Sequence, residues 1–293
     1  MIYSKNHLNE TEYKQITTNY YIPMEEWCVI NRKVTRNEEI HLALCNCINA
    51  RRKGLVFTGQ SFCAIHGVPR LNPYETRPHC LTDKKKGTDL IHWHRNEKDS
   101  ATKTTTMNGL TTVNPIQAIF DIAKMDSPDS ILTSMNHCLS KRMFTDAQLH
   151  DVIENQPGRK GRNLLKRLLR HATKKCESPL ETLGYIAIYK AGFVMPEQQI
   201  RIFDRYRYPV ARVDMYWKLP NKEIILELDG DEKYLVDPKS FRKEKHREYE
   251  LRELGYEVIR SDYEEIKNGK LLQKLITCGI PLRRHFKGTF PTK

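Results

Sequence analysis

Three carboxylates in one short stretch could do chemistry together: Asp214, Glu227 and Asp229. Val213, Met215 and Trp217 recur at every second position around Asp214, which is a strand pattern. Pro220 and Asn221 make a polar break, and Ile224, Ile225, Leu226 and Leu228 then read as a buried strand. Period-two geometry puts Glu227 and Asp229 on one sheet face, and pairing across the turn would set Asp214 beside them. Carboxylates gathered in this way repel unless protons or a cation offset them. A hard divalent cation meets that need, and Mg2+ is the usual one where the substrate is a phosphate. A single acidic residue at a strand end is ordinarily solvated or paired with a basic neighbour. It is the Asp strand, turn and apolar strand ending in Glu-Leu-Asp-Gly, taken together, that point to a metal.

The surrounding chain has 293 residues and a net charge of +13, with 39% hydrophobic and 29% charged residues. At about 150 residues per domain this suggests two domains with real cores. The positive charge attracts polyanions, nucleic acid among them. No run approaches the roughly 18 apolar residues of a membrane span, and the first residues lack an apolar signal core. The expectation is a cytoplasmic protein with no membrane partner. Its eight cysteines contain no C-x-x-C pair and read as small core residues in a reducing compartment.

Four segments are expected: a lead-in of residues 1–35, an α+β domain of 36–175, a second domain of 176–280 and a loose basic tail of 281–293. In the first domain, helices are read at 37–52, 60–66, from Pro115 through Ile122, at 126–139 and at 146–154. Strands are read at 55–58, 79–82, 90–94 and 109–113. His92-Trp93-His94 is taken as alternating faces of a strand, with Trp93 inward, rather than as a metal site. Residues 162–175 read as an amphipathic basic helix, with Arg162, Lys166, Arg167, Arg170, Lys174 and Lys175 around four leucines. Those cations suit either a solvated face or contact with phosphates.

The second domain opens at Ser178-Pro179-Leu180-Glu181, a capping box with Glu181 at N3. A helix to 191 follows, then strands at 198–203, 213–217 and 223–229. A helix at 241–254, a strand at 257–261 and a helix at 263–278 complete the order α-β-β-β-α-β-α. Glu244, Arg247 and Leu251 fall on one helical stripe, so Arg247 can either pair with Glu244 or reach the acidic site.

From Ser178 to about Ile266 the chain resembles the very-short-patch-repair-like endonuclease domains of the PD-(D/E)xK, or restriction-endonuclease-like, superfamily. The residues that carry this are Ser178-Pro-Leu-Glu181, Pro196-Glu-Gln-Gln199, Val213-Asp214, Glu227-Leu-Asp-Gly230 and the run from Arg247 through Gly255 to Arg260. Residues 36–170 resemble more faintly an AbiEi-type antitoxin region. The carriers are Thr58-Gly-Gln-Ser61 with Ala64-Ile-His66-Gly67, and 109–115 with Asp121-Ile-Ala123. Gln117 and Ala118 stand where that region usually has Arg and Thr, and residues 1–35 show no winged-helix pattern.

The resemblance implies an α/β protein with a C-terminal restriction-endonuclease-like core on a mixed sheet and an N-terminal α+β domain. It also implies a metal-dependent DNA endonuclease using Mg2+, with Mn2+ as a substitute. The metal ligands fall on Asp214 and Glu227, with Glu181 and Asp229 shaping the site. The superfamily's usual lysine is replaced by Asp229, and the histidine of related sites by Lys233. Lys233 and Arg247 are therefore expected to stabilise developing charge. The alternative is a catalytically inactive nucleic-acid-binding or antitoxin-like protein that keeps the fold.

Overall fold

Strand alternation and two-residue turn chemistry build the C-terminal sheet, while capped apolar helices build most of the rest. The computed structural model describes residues 13–17, 20–23, 36–82, 90–95, 103–230, 238–284 and 289–292. It is mixed α/β, and the chain divides into two compact units. One comprises Met1–Cys138 and Arg142–Arg170; the other comprises Leu139–Lys141 and His171–Thr292.

The first unit begins with an antiparallel pair, β1 (Tyr13–Thr17) and β2 (Tyr20–Pro23), within the expected lead-in. Helix α1 (Arg36–Arg51) carries Glu38 and Glu39 in its first turn and Arg51 in its last, matching the helix dipole. Helix α2 (Gly59–His66) closes on Gly67 in the left-handed region, a conformation glycine adopts freely. Strands β3 (His79–Thr82) and β4 (His92–Arg95) pair in parallel, and β5 (Thr104–Met107) and β6 (Leu110–Val113) form a hairpin. Phe57 bridges both pairs, through Cys80 and Thr112. Leu44, Ile48, Phe57, Ile65, Cys80 and Leu110 fill the space between α1, α2 and these strands. Helices α3 (Pro115–Ile122), α4 (Pro128–Ser140), α5 (Asp146–Asn155) and α6 (Arg162–Leu168) complete the unit.

In the second unit, α7 (Pro179–Lys190) precedes β7 (Glu197–Phe203), β8 (Pro209–Leu219) and β9 (Lys222–Leu228), which form an antiparallel meander. Helix α8 (Pro238–Glu253) then leads to β10 (Tyr256–Ser261), parallel to β9. The sheet order is β10-β9-β8-β7. Short helices α9 (Tyr263–Lys267) and α10 (Lys270–Thr277) end the order. Met215, Trp217, Ile224 and Leu226 pack with Ile188 of α7 and Leu271 and Leu275 of α10. Val213, Ile225 and Val258 pack with Leu251 of α8.

Gly184 lets α7 approach β9: a Cβ there would stand 2.6 Å from Leu228 Cδ1. Gly184→Ala is expected to destabilise the protein by about 1–3 kcal/mol, although alanine favours helix by about 1 kcal/mol. An unchanged or higher urea midpoint would contradict this packing.

Several elements depart from the sequence reading. The basic helix ends at Leu168, and beyond it Thr173 Oγ1 accepts the Lys175 N–H in a local turn. The single helix read at 263–278 is two, broken at Gly269 with φ +81°. Strand β5 was not anticipated; Asn108 and Gly109, both at positive φ, make its hairpin turn. Trp93 is only partly buried, whereas His94 is almost wholly so. The tail is not loose where described: Val194 donates to the Pro281 carbonyl, Arg283 to that of Gly192, and Phe290 is buried beside His171 and Tyr189. Seven cysteines are free thiols, mostly buried; Cys28 lies outside the described residues. Among the described residues no helix is long and apolar enough to cross a membrane.

Candidate acidic site at the end of the central strands

The antiparallel register of β8 and β9 runs from Leu219↔Lys222 to Met215↔Leu226. One step further sets Asp214 opposite Glu227. The Asp214 carboxylate fastens the two strands there, since its Oδ2 accepts the Leu228 N–H at 2.9 Å. Glu227 follows Ile225 by two residues, so it projects toward α8, whose Leu251 packs with Ile225. Arg247 lies one turn before Leu251 and sets Nη2 3.6 Å from Glu227 Oε1. The Glu244 side chain, its other possible partner, lies outside the described residues, as does Lys233 altogether.

Glu181 reaches the same place from the start of α7. Ser178 caps the helix by accepting the Glu181 N–H at 3.1 Å. The Glu181 carboxylate does not close the box on Ser178, however. It accepts the Glu177 N–H at 2.9 Å and the Gln199 side-chain amide at 3.0 Å. The same amide nitrogen lies 3.5 Å from Asp214 Oδ1. Gln199 holds φ +57° within β7, a strained state for a non-glycine residue and one that tends to occur at functional sites.

Glu227 and Asp229 are both only 6% exposed. Asp229 turns to Arg260, 3.2 Å away, and Arg260 in turn lies 3.2 Å from Glu248 of α8. Asp214, Glu227 and Asp229 therefore do not bring three ligand atoms within 4.8 Å of one another; among the described residues, only Glu75, His79 and His92 do so. What remains at the acidic site is the pair Asp214 and Glu227, with Glu181 behind Asp214.

Glu227 is the most perturbed of these groups. Burial first, then the charges of Asp214 and Asp229, push its pKa up to about 8, against the opposing pull of Arg247 and Arg260. Its Oε1 is buried without a hydrogen-bond partner. Burial and the Asp214 charge also raise the Glu181 pKa. A cleft of about 560 Å³ is lined by Glu248, Arg252, Arg260, Lys270 and Lys274, among others, and so shares Arg260 and Glu248 with the site.

Gln199 and Arg260 were missed as site residues. Nothing in a glutamine announces a left-handed backbone, and Arg260 meets Asp229 only because β10 runs parallel to β9 with Arg260 paired to Glu227. Of the cations on 162–175, Arg162 and Lys166 both pair with Glu154, at 3.0 and 2.7 Å, while Arg170, Lys174 and Lys175 are exposed. Arg167 is also exposed.

No family model matches the chain, and comparisons with curated proteins and with solved structures found no significant match.

Proposed function

We propose that the protein is a metal-dependent endonuclease that hydrolyses DNA phosphodiester bonds, in defence or in DNA processing. The observation that carries this is Glu227: a buried carboxyl beside Asp214, with Oε1 unbonded and ionisation still disfavoured despite two nearby arginines. A buried acid only partly offset by its arginine neighbours suits a hard cation. Asp214 and Glu227 would hold Mg2+ or Mn2+, whose chemistry there is polarisation of a phosphoryl oxygen and a lowered pKa of bound water. Glu181 and Gln199 orient Asp214. Arg247 balances Glu227 and stands where it can contact a phosphate, with Lys233 as a second charged stabiliser. The Asp229–Arg260–Glu248 chain ties β9 and β10 to α8. The order α7-β7-β8-β9-α8-β10 supports the resemblance to a restriction-endonuclease-like core.

A second reading, a non-catalytic nucleic-acid-binding protein, draws on one feature: Arg247 and Arg260 already sit against Glu227 and Asp229. Parallel digestion of DNA and RNA in Mg2+ separates the two readings. Cleavage of DNA supports the nuclease, cleavage of RNA alone reassigns the substrate, and binding without cleavage supports the second reading.

DNA affinity is expected to fall at least tenfold between about 50 and 200 mM salt, because each neutralised phosphate releases counterions. The +13 charge and the exposed cations after Arg162 motivate this. Affinity that stays flat with salt would contradict a role for them at phosphates.

A further inference from the structure

We propose that Glu75, His79 and His92 form a Zn2+ site in the N-terminal unit, separate from the acidic site. His79 Nε2 lies 3.6 Å and His92 Nδ1 3.4 Å from Glu75 Oε2. Tetrahedral zinc, with ligands at about 2.0–2.2 Å, sets its donors about 3.3–3.6 Å apart. Two nitrogens and one carboxylate oxygen, with a fourth position left for water, is an established zinc donor set. Mg2+ prefers oxygen donors throughout.

The site is built rather than accidental. The parallel register pairs His79 directly with His92, and their rings stack with centroids 4.4 Å apart. His79 is fully buried, and its Nε2 has no hydrogen-bond partner. Its other nitrogen, Nδ1, is 2.9 Å from His94 Nε2, and His94 Nδ1 is 3.5 Å from Asp121 Oδ1. Asp121 is held in turn by Thr58 at 2.6 Å, Gln117 at 2.9 Å and Lys124 at 2.7 Å. A ligand histidine backed by a second histidine and a carboxylate is the outer support that fixes ring orientation in metal sites. Gly59, at φ +53°, admits this stack: a Cβ there would come 3.2 Å from His79 Nδ1.

The Glu75 and His92 side chains are about one-third exposed, which opens the site to solvent on one side. Arg77, 3.5 Å from Glu75 Oε2 and half exposed, would have to swing aside. Bound zinc would pin the segment around Glu75 to β3 and β4. The two stretches of sequence are ordinary singly; β-pairing creates the cluster.

The test is Zn2+ titration of the full chain after EDTA treatment and dialysis, followed by calorimetry, with Co2+ as a visible-absorption reporter of tetrahedral ligation. Wild type is expected to take up a single Zn2+ saturably. His92→Ala and Glu75→Gln, at partly exposed positions, are expected to weaken it at least about 100-fold with unchanged far-ultraviolet circular dichroism. His94→Ala is expected to weaken it about 10- to 100-fold. The double variant Asp214→Ala, Glu227→Ala is expected to bind Zn2+ as wild type does. No saturable uptake by wild type, wild-type affinity in His92→Ala or Glu75→Gln, or loss of uptake in the double variant would each overturn the site.

Discussion

Asp214→Ala is expected to lower Mg2+-dependent DNA cleavage by roughly a thousand-fold or more while leaving the protein folded. Asp214 does two things at once. Its Oδ2 fastens β8 to the Leu228 N–H, and its charge is one of the two that the proposed cation would share with Glu227. Losing one contact that acts in the transition state typically removes about 10²–10³ in rate, and losing a metal ligand removes more because the cation itself is then poorly held. Asp214→Asn separates the roles: it keeps an oxygen for the backbone bond and loses the charge. Fold stability in Asp214→Asn is expected to stay near wild type, with cleavage lost. Wild-type cleavage by either variant would remove Asp214 from the site.

Glu227→Gln is expected to make the metal-free protein more stable than wild type at alkaline pH. The Glu227 pKa rises on folding, from the ordinary carboxylate range to about 8, because of burial and the neighbouring Asp214 and Asp229. Folding therefore takes up a proton between those values. The stabilising contribution is complete below the unfolded-state pKa and is lost as pH climbs through about 8. At pH 5 Glu227 is neutral in the folded protein and little of the contribution is yet lost, so the two proteins should differ least there. At pH 9 wild type must ionise a buried group, a penalty on the order of 5 kcal/mol that the neutral amide of Glu227→Gln avoids. Adding Mg2+ is expected to stabilise wild type and not the variant, since only a carboxylate rewards the cation. Denaturation midpoints measured in EDTA across pH 5–9 check this; parallel curves for the two proteins would contradict the environment assigned to Glu227. This prediction stands whether or not the protein cuts DNA.

Much of this site was legible in the sequence, for identifiable reasons. Alternation around Asp214, the Pro220-Asn221 turn and the apolar run before Glu227 are local signals, and they specify a hairpin whose register then follows. The Ser178 cap and Pro179 likewise announce α7. What was not legible depends on non-local placement. Asp229 looked equivalent to Glu227 by period, yet the parallel strand β10 brings Arg260 to it and draws it away from a three-carboxylate cluster. Gln199 owes its role to a backbone state that its residue type does not signal. The histidine cluster needs residues 75, 79 and 92 to meet through a parallel pairing, and His92-Trp93-His94 gave only strand alternation. The basic helix stops at Leu168 although the amphipathic pattern runs on to Lys175, because periodicity carries no stop signal.

The most direct test of the proposed nuclease activity is nicking of supercoiled plasmid by the wild-type protein in Mg2+, then in excess EDTA, then after Mg2+ is returned. Nicking that appears with Mg2+, stops in EDTA, resumes on add-back and is missing in Asp214→Ala is the predicted result. No nicking under any of these conditions, or nicking that persists in EDTA, would contradict it.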